Sequence, residues 1–66
     1  MNNIKTIRLQ KGLTQKDVSL YAGVSEAAIS MFERSKRKPS INVAFKIAKS
    51  LDVTVDELFC SDYKDE

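Results

Sequence analysis

The chain is 66 residues long and carries 11 Lys/Arg against 9 Asp/Glu, a net charge of +2. This length allows one domain with a small core, and no apolar run approaches the ~20 residues that a membrane-spanning helix needs. Histidine is absent and no phosphate-binding GxxxxGK loop or nucleophile elbow occurs, so we expect no enzyme, catalytic residue, metal or cofactor.

Cysteine usage and the N-terminus indicate the compartment. Cys60 is the lone cysteine, which excludes an intramolecular disulfide and suits a reducing cytosol. The first residues lack the apolar segment of a signal peptide. We therefore expect a cytoplasmic protein.

The charges are distributed unevenly along the chain. Residues 1–49 contain 10 Lys/Arg and 3 Asp/Glu, a balance of +7, whereas residues 50–66 contain 1 and 6, a balance of −5. A basic body with an acidic end suits a protein that presents one face to a polyanion. A solvated surface with chance clustering explains the charges equally well.

A first helix is predicted over residues 3–11, with Asn2 or Asn3 as its N-cap. Helical spacing places Ile4 and Ile7 on its core face. Arg8 lies at the edge of that face and needs a partner there.

Two further helices follow, joined by a tight turn. Thr14 can cap a helix over residues 15–22, Gly23 can end it by adopting a positive φ, and Ser25 can cap the next helix over 26–34. Two short helices joined in this way describe a helix-turn-helix, whose second helix can enter a DNA major groove.

The second of these helices has a core side and an opposite side. Ile29 and Phe32 are predicted to face the core, with Ala28 beside them. The opposite edge then carries Ser25, Glu26, Ala27, Ser30 and Met31.

A basic turn, residues 34–38, follows directly and ends at Pro39. Its cations are Arg34, Lys36, Arg37 and Lys38. Cations in this position can contact the sugar–phosphate backbone, which contributes affinity rather than sequence choice. The alternative is a solvated loop.

A fourth helix is predicted over residues 41–51, capped by Ser40. Its core stripe is predicted to consist of Ile41, Ala44, Phe45, Ala48 and Leu51.

A capping box of Thr54 and Glu57 opens a short fifth helix. This helix is more apolar than its length can bury alone, so Val55, Leu58 and Phe59 are candidates for a dimer contact, with packing inside the monomer as the alternative. Residues 61–66 are read as an acidic C-terminal tail.

Several motifs together resemble one known family. They are GLTQ at 12–15, GVS at 23–25, Ile29, FER at 32–34 and KPS at 38–40. With these motifs the chain, over roughly residues 3–59, resembles the Cro/CI-type (XRE) helix-turn-helix family of phage and bacterial repressors. The resemblance implies an all-α, five-helix, lambda-repressor-like domain over residues 1–60, with helices 2 and 3 as the helix-turn-helix, and a bacterial or phage origin.

The resemblance also implies roles for particular residues. Ser25, Glu26, Ala27, Ser30 and Met31 match positions that lie in or beside the DNA groove. Gln15, Arg34, Lys36, Arg37 and Lys38 match positions expected at phosphates. Arg8 is expected to pair with Glu33 and so to set the angle between helices 1 and 3.

The chain departs from the family pattern at several positions. Ser19 replaces an alanine, and Ser35 replaces the glycine that usually ends helix 3, the second helix of the helix-turn-helix. Leu20 and Tyr21 replace polar residues on the solvent side of helix 2, which indicates either a partner surface or ordinary scattered apolar exposure. Glu26 can also be read as a first-turn acid favoured by the helix dipole, a role compatible with base contact.

Two functions follow from these observations. The first is a sequence-specific regulator of transcription that binds double-stranded DNA, a repressor acting as a homodimer on a near-palindromic operator. The alternative is a protein-interaction module, such as an antitoxin-like or phage adaptor protein, suggested by Leu20, Tyr21 and the apolar end at residues 58–59.

Overall fold

The computed structural model describes residues 2–59. Its five helices are α1 (Ile4–Gln10), α2 (Gln15–Ala22), α3 (Glu26–Glu33), α4 (Ile41–Ser50) and α5 (Val55–Leu58). The prediction of an all-α, five-helix domain is confirmed. The expectations for Cys60 and for the acidic tail fall outside the described residues. None of the helices in residues 2–59 is both long and apolar enough to cross a bilayer.

Side-chain caps set where four of the helices begin. The hydroxyls of Thr14, Ser25, Ser40 and Thr54 each accept a hydrogen bond from the backbone N–H three residues later. Thr14 forms a complete capping box, because its own N–H donates to the Asp17 carboxylate at 2.9 Å. These bonds from Thr14 hold the pKa of Asp17 below its ordinary value, so the carboxylate stays charged beside the positive end of the α2 dipole.

Left-handed residues set where the helices end. Gly12 and Gly23, after α1 and α2, both have φ of 73°. Ser35 and Asp52 take the same position after α3 and α4, with φ of 57° and 58°. Ser35, which stands where the family usually has glycine, therefore adopts the left-handed conformation, at a cost of roughly 1–2 kcal/mol compared with glycine. Each of these residues lies in the turn that follows its helix.

One apolar core joins all five helices. Its buried side chains are Ile4, Val18, Ala22, Ile29, Phe32, Ala44, Ile47, Ala48, Leu51, Leu58 and Phe59. Ile7 and Ala28 pack partly buried against it. Ser19, which stands where the family has alanine, is 4 % exposed, so its small side chain fits inside. Every buried side-chain nitrogen and oxygen in residues 2–59 has a hydrogen-bond partner.

The core stripe predicted for α4 is partly wrong. Ile41 and Phe45 are 48 % and 59 % exposed, whereas Ile47 is completely buried. The buried line runs through Ala44, Ile47, Ala48 and Leu51, which is a single helical face. Ile41 and Phe45 lie on the flank of that face, and a domain this small has too few elements to cover both sides of a helix.

The apolar end of α5 is explained by packing inside the monomer. Leu58 and Phe59 are 0 % and 2 % exposed. The Asn3 side chain donates to the Glu57 carbonyl at 3.0 Å, and the Asn3 N–H donates to the Leu58 carbonyl at 2.8 Å. These bonds attach α5 to the start of α1. The expectation of a dimer contact through Leu58 and Phe59 is therefore corrected, and only Val55 stays partly exposed.

A buried ion pair connects α1 to α3. Arg8 Nε donates to Glu33 Oε2 at 2.7 Å, and the two side chains are only 8 % and 4 % exposed. Arg8 Nη1 also donates to the Leu13 carbonyl at 2.8 Å. The guanidinium thus connects the loop before α2 with the last turn of α3, which sets the orientation of the two helices.

We expect Arg8→Met and Glu33→Met each to lower the free energy of unfolding by about 3–5 kcal/mol, because each leaves one buried charge without its partner. The double variant should be far closer to the parent, since it buries no charge. Urea titrations followed by circular dichroism measure the three values. Lys5→Met, on the exposed side of α1, is the matched control. Additive losses in the double variant would contradict this account.

Candidate nucleic-acid interface

Helix α3 is held at the surface with one face inward. Ile29 and Phe32 are 0 % and 4 % exposed and fix that face against the core. The Ser25 hydroxyl accepts from the Ala28 N–H at 3.0 Å and begins the helix. The cap and the core face together determine which side chains of α3 point outward.

The five residues predicted for base contact lie along the remaining edge of α3. Ser25, Glu26 and Ala27 are exposed, and Ser30 and Met31 are half-buried. The edge thus carries hydroxyl, carboxylate and apolar groups. This mixture can accept and donate hydrogen bonds and can contact a methyl group.

The basic turn is bonded to the end of α3. The Lys36 N–H donates to the Met31 carbonyl at 2.9 Å, and the Ser35 N–H donates to the Phe32 carbonyl at 3.1 Å. Arg34 Nε lies 3.4 Å from the Ser30 carbonyl, so its guanidinium follows the helix backward. Because of these bonds, the turn lies beside the C-terminal half of the exposed edge.

The cations of the basic turn face solvent. Arg34, Lys36, Arg37 and Lys38 are all exposed, whereas Pro39 directly after them is buried. The buried proline anchors the end of the turn. The result is a concentration of positive charge beside α3, where an anion can approach from solvent.

Gln15 is the remaining residue predicted at a phosphate. Its Nε2 donates to Glu33 Oε1 at 3.0 Å, so the carboxylate that receives Arg8 also orients the first residue of α2. Gln15 is half-buried. A primary amide has two N–H groups, and the bond to Glu33 engages one of them.

Asn2 supports this site in a way that sequence reasoning missed. The sequence suggested Asn2 only as a possible cap of α1, and its Oδ1 does accept from the Ile4 N–H at 3.2 Å. In addition, its Nδ2 donates to the Phe32 carbonyl at 2.7 Å and lies 3.5 Å from the Ser35 hydroxyl. Asn2 therefore ties the chain start to the end of α3. No local pattern signals a bond across thirty residues.

Two exposed apolar surfaces lie away from this edge. Phe45, Val53 and Val55 line a groove between α4 and α5, together with the charged residues Lys49, Asp52 and Glu57. Leu20 and Tyr21 on α2 are 72 % and 55 % exposed, which agrees with their predicted solvent-side placement.

Comparison with known proteins extends these observations. A helix-turn-helix family model matches residues 4–58. An uncharacterised HTH-type transcriptional regulator of Methanocaldococcus jannaschii, MJ0272, is 38 % identical over 65 residues, which is 98 % of this chain and 96 % of that protein. Antitoxin HipB of Escherichia coli O6:H1 is 35 % identical over 54 residues, 82 % of this chain and 57 % of HipB.

Among solved structures, the N-terminal DNA-binding domain of SinR from Bacillus subtilis superposes with a TM-score of 0.77. The two share 32 % sequence identity, and the match covers 92 % of this chain and 90 % of that one. The family match spans all five helices, and the SinR domain has the same arrangement. The chain therefore belongs to the Cro/CI-type (XRE) helix-turn-helix family of DNA-binding transcriptional regulators.

Proposed function

We propose that this protein is a sequence-specific regulator of transcription that binds double-stranded DNA through the outer edge of α3. The observation that carries the proposal is the exposed edge of a capped helix lying directly beside a turn with four cations. An exposed helix edge can contact base edges in a major groove, and the turn supplies cations that can contact phosphates. The role is non-catalytic and belongs in the cytoplasm, with the DNA.

Base selection is assigned to the five edge residues. The Glu26 carboxylate can accept from cytosine N4, and Ala27 and Met31 can contact a thymine methyl. The hydroxyls of Ser25 and Ser30 can bond to base edges or to the adjacent backbone. Each good base contact discriminates by about 1–3 kcal/mol, so two or three in each half-site give useful specificity.

Phosphate binding is assigned to the basic turn and Gln15. Arg34, Lys36, Arg37 and Lys38 can neutralise phosphates and release counterions, which makes the affinity depend steeply on salt. The second amide N–H of Gln15 can donate to a phosphate from the start of α2. Its bond to Glu33 reduces the freedom that this side chain would lose on binding.

A homodimer is part of the proposal, because one short helix covers only half of a typical operator. Two copies related by a two-fold axis place their α3 helices about 34 Å apart, in successive major grooves of a near-palindromic site. Such a dimer acts as a repressor by blocking polymerase.

The groove between α4 and α5 is the surface best suited to that contact. Phe45 is 59 % exposed at its edge, and Val53 and Val55 line it. Lys49 and Glu57 at the same groove carry opposite charges, so a two-fold axis can bring each lysine near the partner's acid. Of the three residues that the sequence suggested for a dimer contact, this surface includes Val55 but not the buried Leu58 and Phe59.

Substitution of an edge residue and of a turn residue should affect binding differently. We expect Met31→Ala to relax base preference at one position of each half-site, by about 1–3 kcal/mol. Lys36→Ala should weaken binding to all sequences alike and reduce the salt slope by about one unit. Selection from a random DNA pool, followed by titrations at two salt concentrations, measures both effects.

The same experiment has a matched control and a clear negative result. Lys46→Ala removes a lysine from α4, away from the edge, and should leave specificity and the salt slope close to the parent values. A palindromic consensus supports the homodimer as well. Equal, weak binding to every sequence by the parent and both variants would rule out the specificity claim.

For the dimer, we expect Phe45→Ser to raise the dissociation constant at least about tenfold, because burying a phenylalanine side chain contributes about 1.5–3 kcal/mol. Sedimentation equilibrium gives the constant. Leu9→Ser is the matched control, since Leu9 is also 59 % exposed but lies on α1. A parent protein that stays monomeric with and without operator DNA would contradict the dimer.

A second candidate function is an antitoxin-like protein-binding role. The similarity to antitoxin HipB and the exposed Leu20 and Tyr21 favour it. The double variant Leu20→Ser/Tyr21→Ser should then lose a stoichiometric protein partner in a pull-down while keeping DNA affinity, and Lys36→Ala/Arg37→Ala should keep the partner. Absence of any stoichiometric partner for the parent protein would count against this role.

A further inference from the structure

A shallow pocket lies where the basic turn meets the end of the described chain. It is lined by residues 35–39, by Asn2 and by Phe59. Lys36 and Arg37 are exposed at its rim. Phe59 is the last described residue and lines the pocket wall, so residue 60 is joined to the chain at this wall.

We propose that the acidic tail, residues 61–66, docks on the basic turn at this pocket and competes there with DNA phosphates. The proposal rests on the proposed DNA-binding function and adds a regulator of the same site. Two features support docking: the tail and the turn carry opposite charges, and the tail is joined to the chain through Phe59 in the pocket wall.

The charges of the two partners are complementary. The tail contains Asp62, Asp65 and Glu66 against a single cation, Lys64. The turn offers cations and no acid within residues 34–38. The nearby acids Asp56 and Glu57 on α5 repel the tail from that side, which favours the basic side of the pocket.

The length of the segment is also sufficient. Residues 60–66 can extend about 23–25 Å, at 3.3–3.6 Å per residue. Because the attachment point is already in the pocket wall, little of that length is needed to reach Lys36 and Arg37. A short tether holds the tail at an effective concentration in the millimolar range, so even a weak contact competes with DNA.

The first experiment needs no DNA. Asp62→Asn/Asp65→Asn removes two negative charges from the tail. The matched control, Thr6→Lys/Gln10→Lys, changes the net charge by the same amount at exposed positions of α1. In the full chain, we expect the amide NMR signals of Lys36 and Arg37 to move in the tail variant and not in the control, most strongly at low salt. Unchanged signals in the tail variant would overturn docking.

The second experiment measures the DNA affinity of the same proteins. The tail variant should bind about 3- to 10-fold more tightly than the parent at low salt, and the control by less than about twofold. In a Lys36→Gln/Arg37→Gln background the advantage of the tail variant should vanish. Equal gains for tail variant and control would overturn the competition, because net charge alone would then explain them.

The two experiments separate failure of this proposal from failure of the proposed function. If the parent protein and the tail variant bind no DNA, the proposed function fails, while the NMR signals still decide whether the tail docks. If both bind DNA with the same affinity and the signals do not move, the tail proposal alone fails.

Discussion

The buried Glu33 carboxylate is the point on which the helix-turn-helix depends. It accepts from Arg8 on α1 at 2.7 Å and from Gln15 on α2 at 3.0 Å, and it lies at the end of α3 itself. The Glu33 carboxylate therefore links three helices, α1, α2 and α3. Removing these donors would leave a buried charge without a partner, which is strongly destabilising. The bonds therefore hold α3 at a fixed angle, and its outer edge keeps one orientation.

Local hydrogen bonds then determine where α3 begins and ends and where the basic turn lies. The cap at Ser25 sets the first residue of α3, and the left-handed Ser35 sets its last. The backbone bond from Lys36 to the Met31 carbonyl turns the chain back beside the helix. The exposed edge of α3 and the basic turn thus become neighbours through backbone geometry.

The apolar residues divide into two groups that composition does not distinguish. Phe59 is 2 % exposed, whereas Phe45 is 59 % exposed. The sequence predicted Phe45 as core and offered Phe59 as a candidate for a dimer contact, with packing inside the monomer as the alternative. The difference arises because the bonds from Asn3 hold α5 against the start of α1, while no described element covers the flank of α4. The exposed flank is consequently the surface available to a second copy.

The sequence by itself determined the five helices, the caps at Thr14, Ser25, Ser40 and Thr54 and the turn at Gly23, because these depend on residues within four positions of each other. It also predicted the edge of α3 and the basic turn. The tertiary structure alone decided that Phe45 lies outside, that Ile47 and Phe59 lie inside, and that Asn2 supports the end of α3. Those outcomes depend on which element packs on which, and packing joins residues that are distant along the chain and share no local pattern.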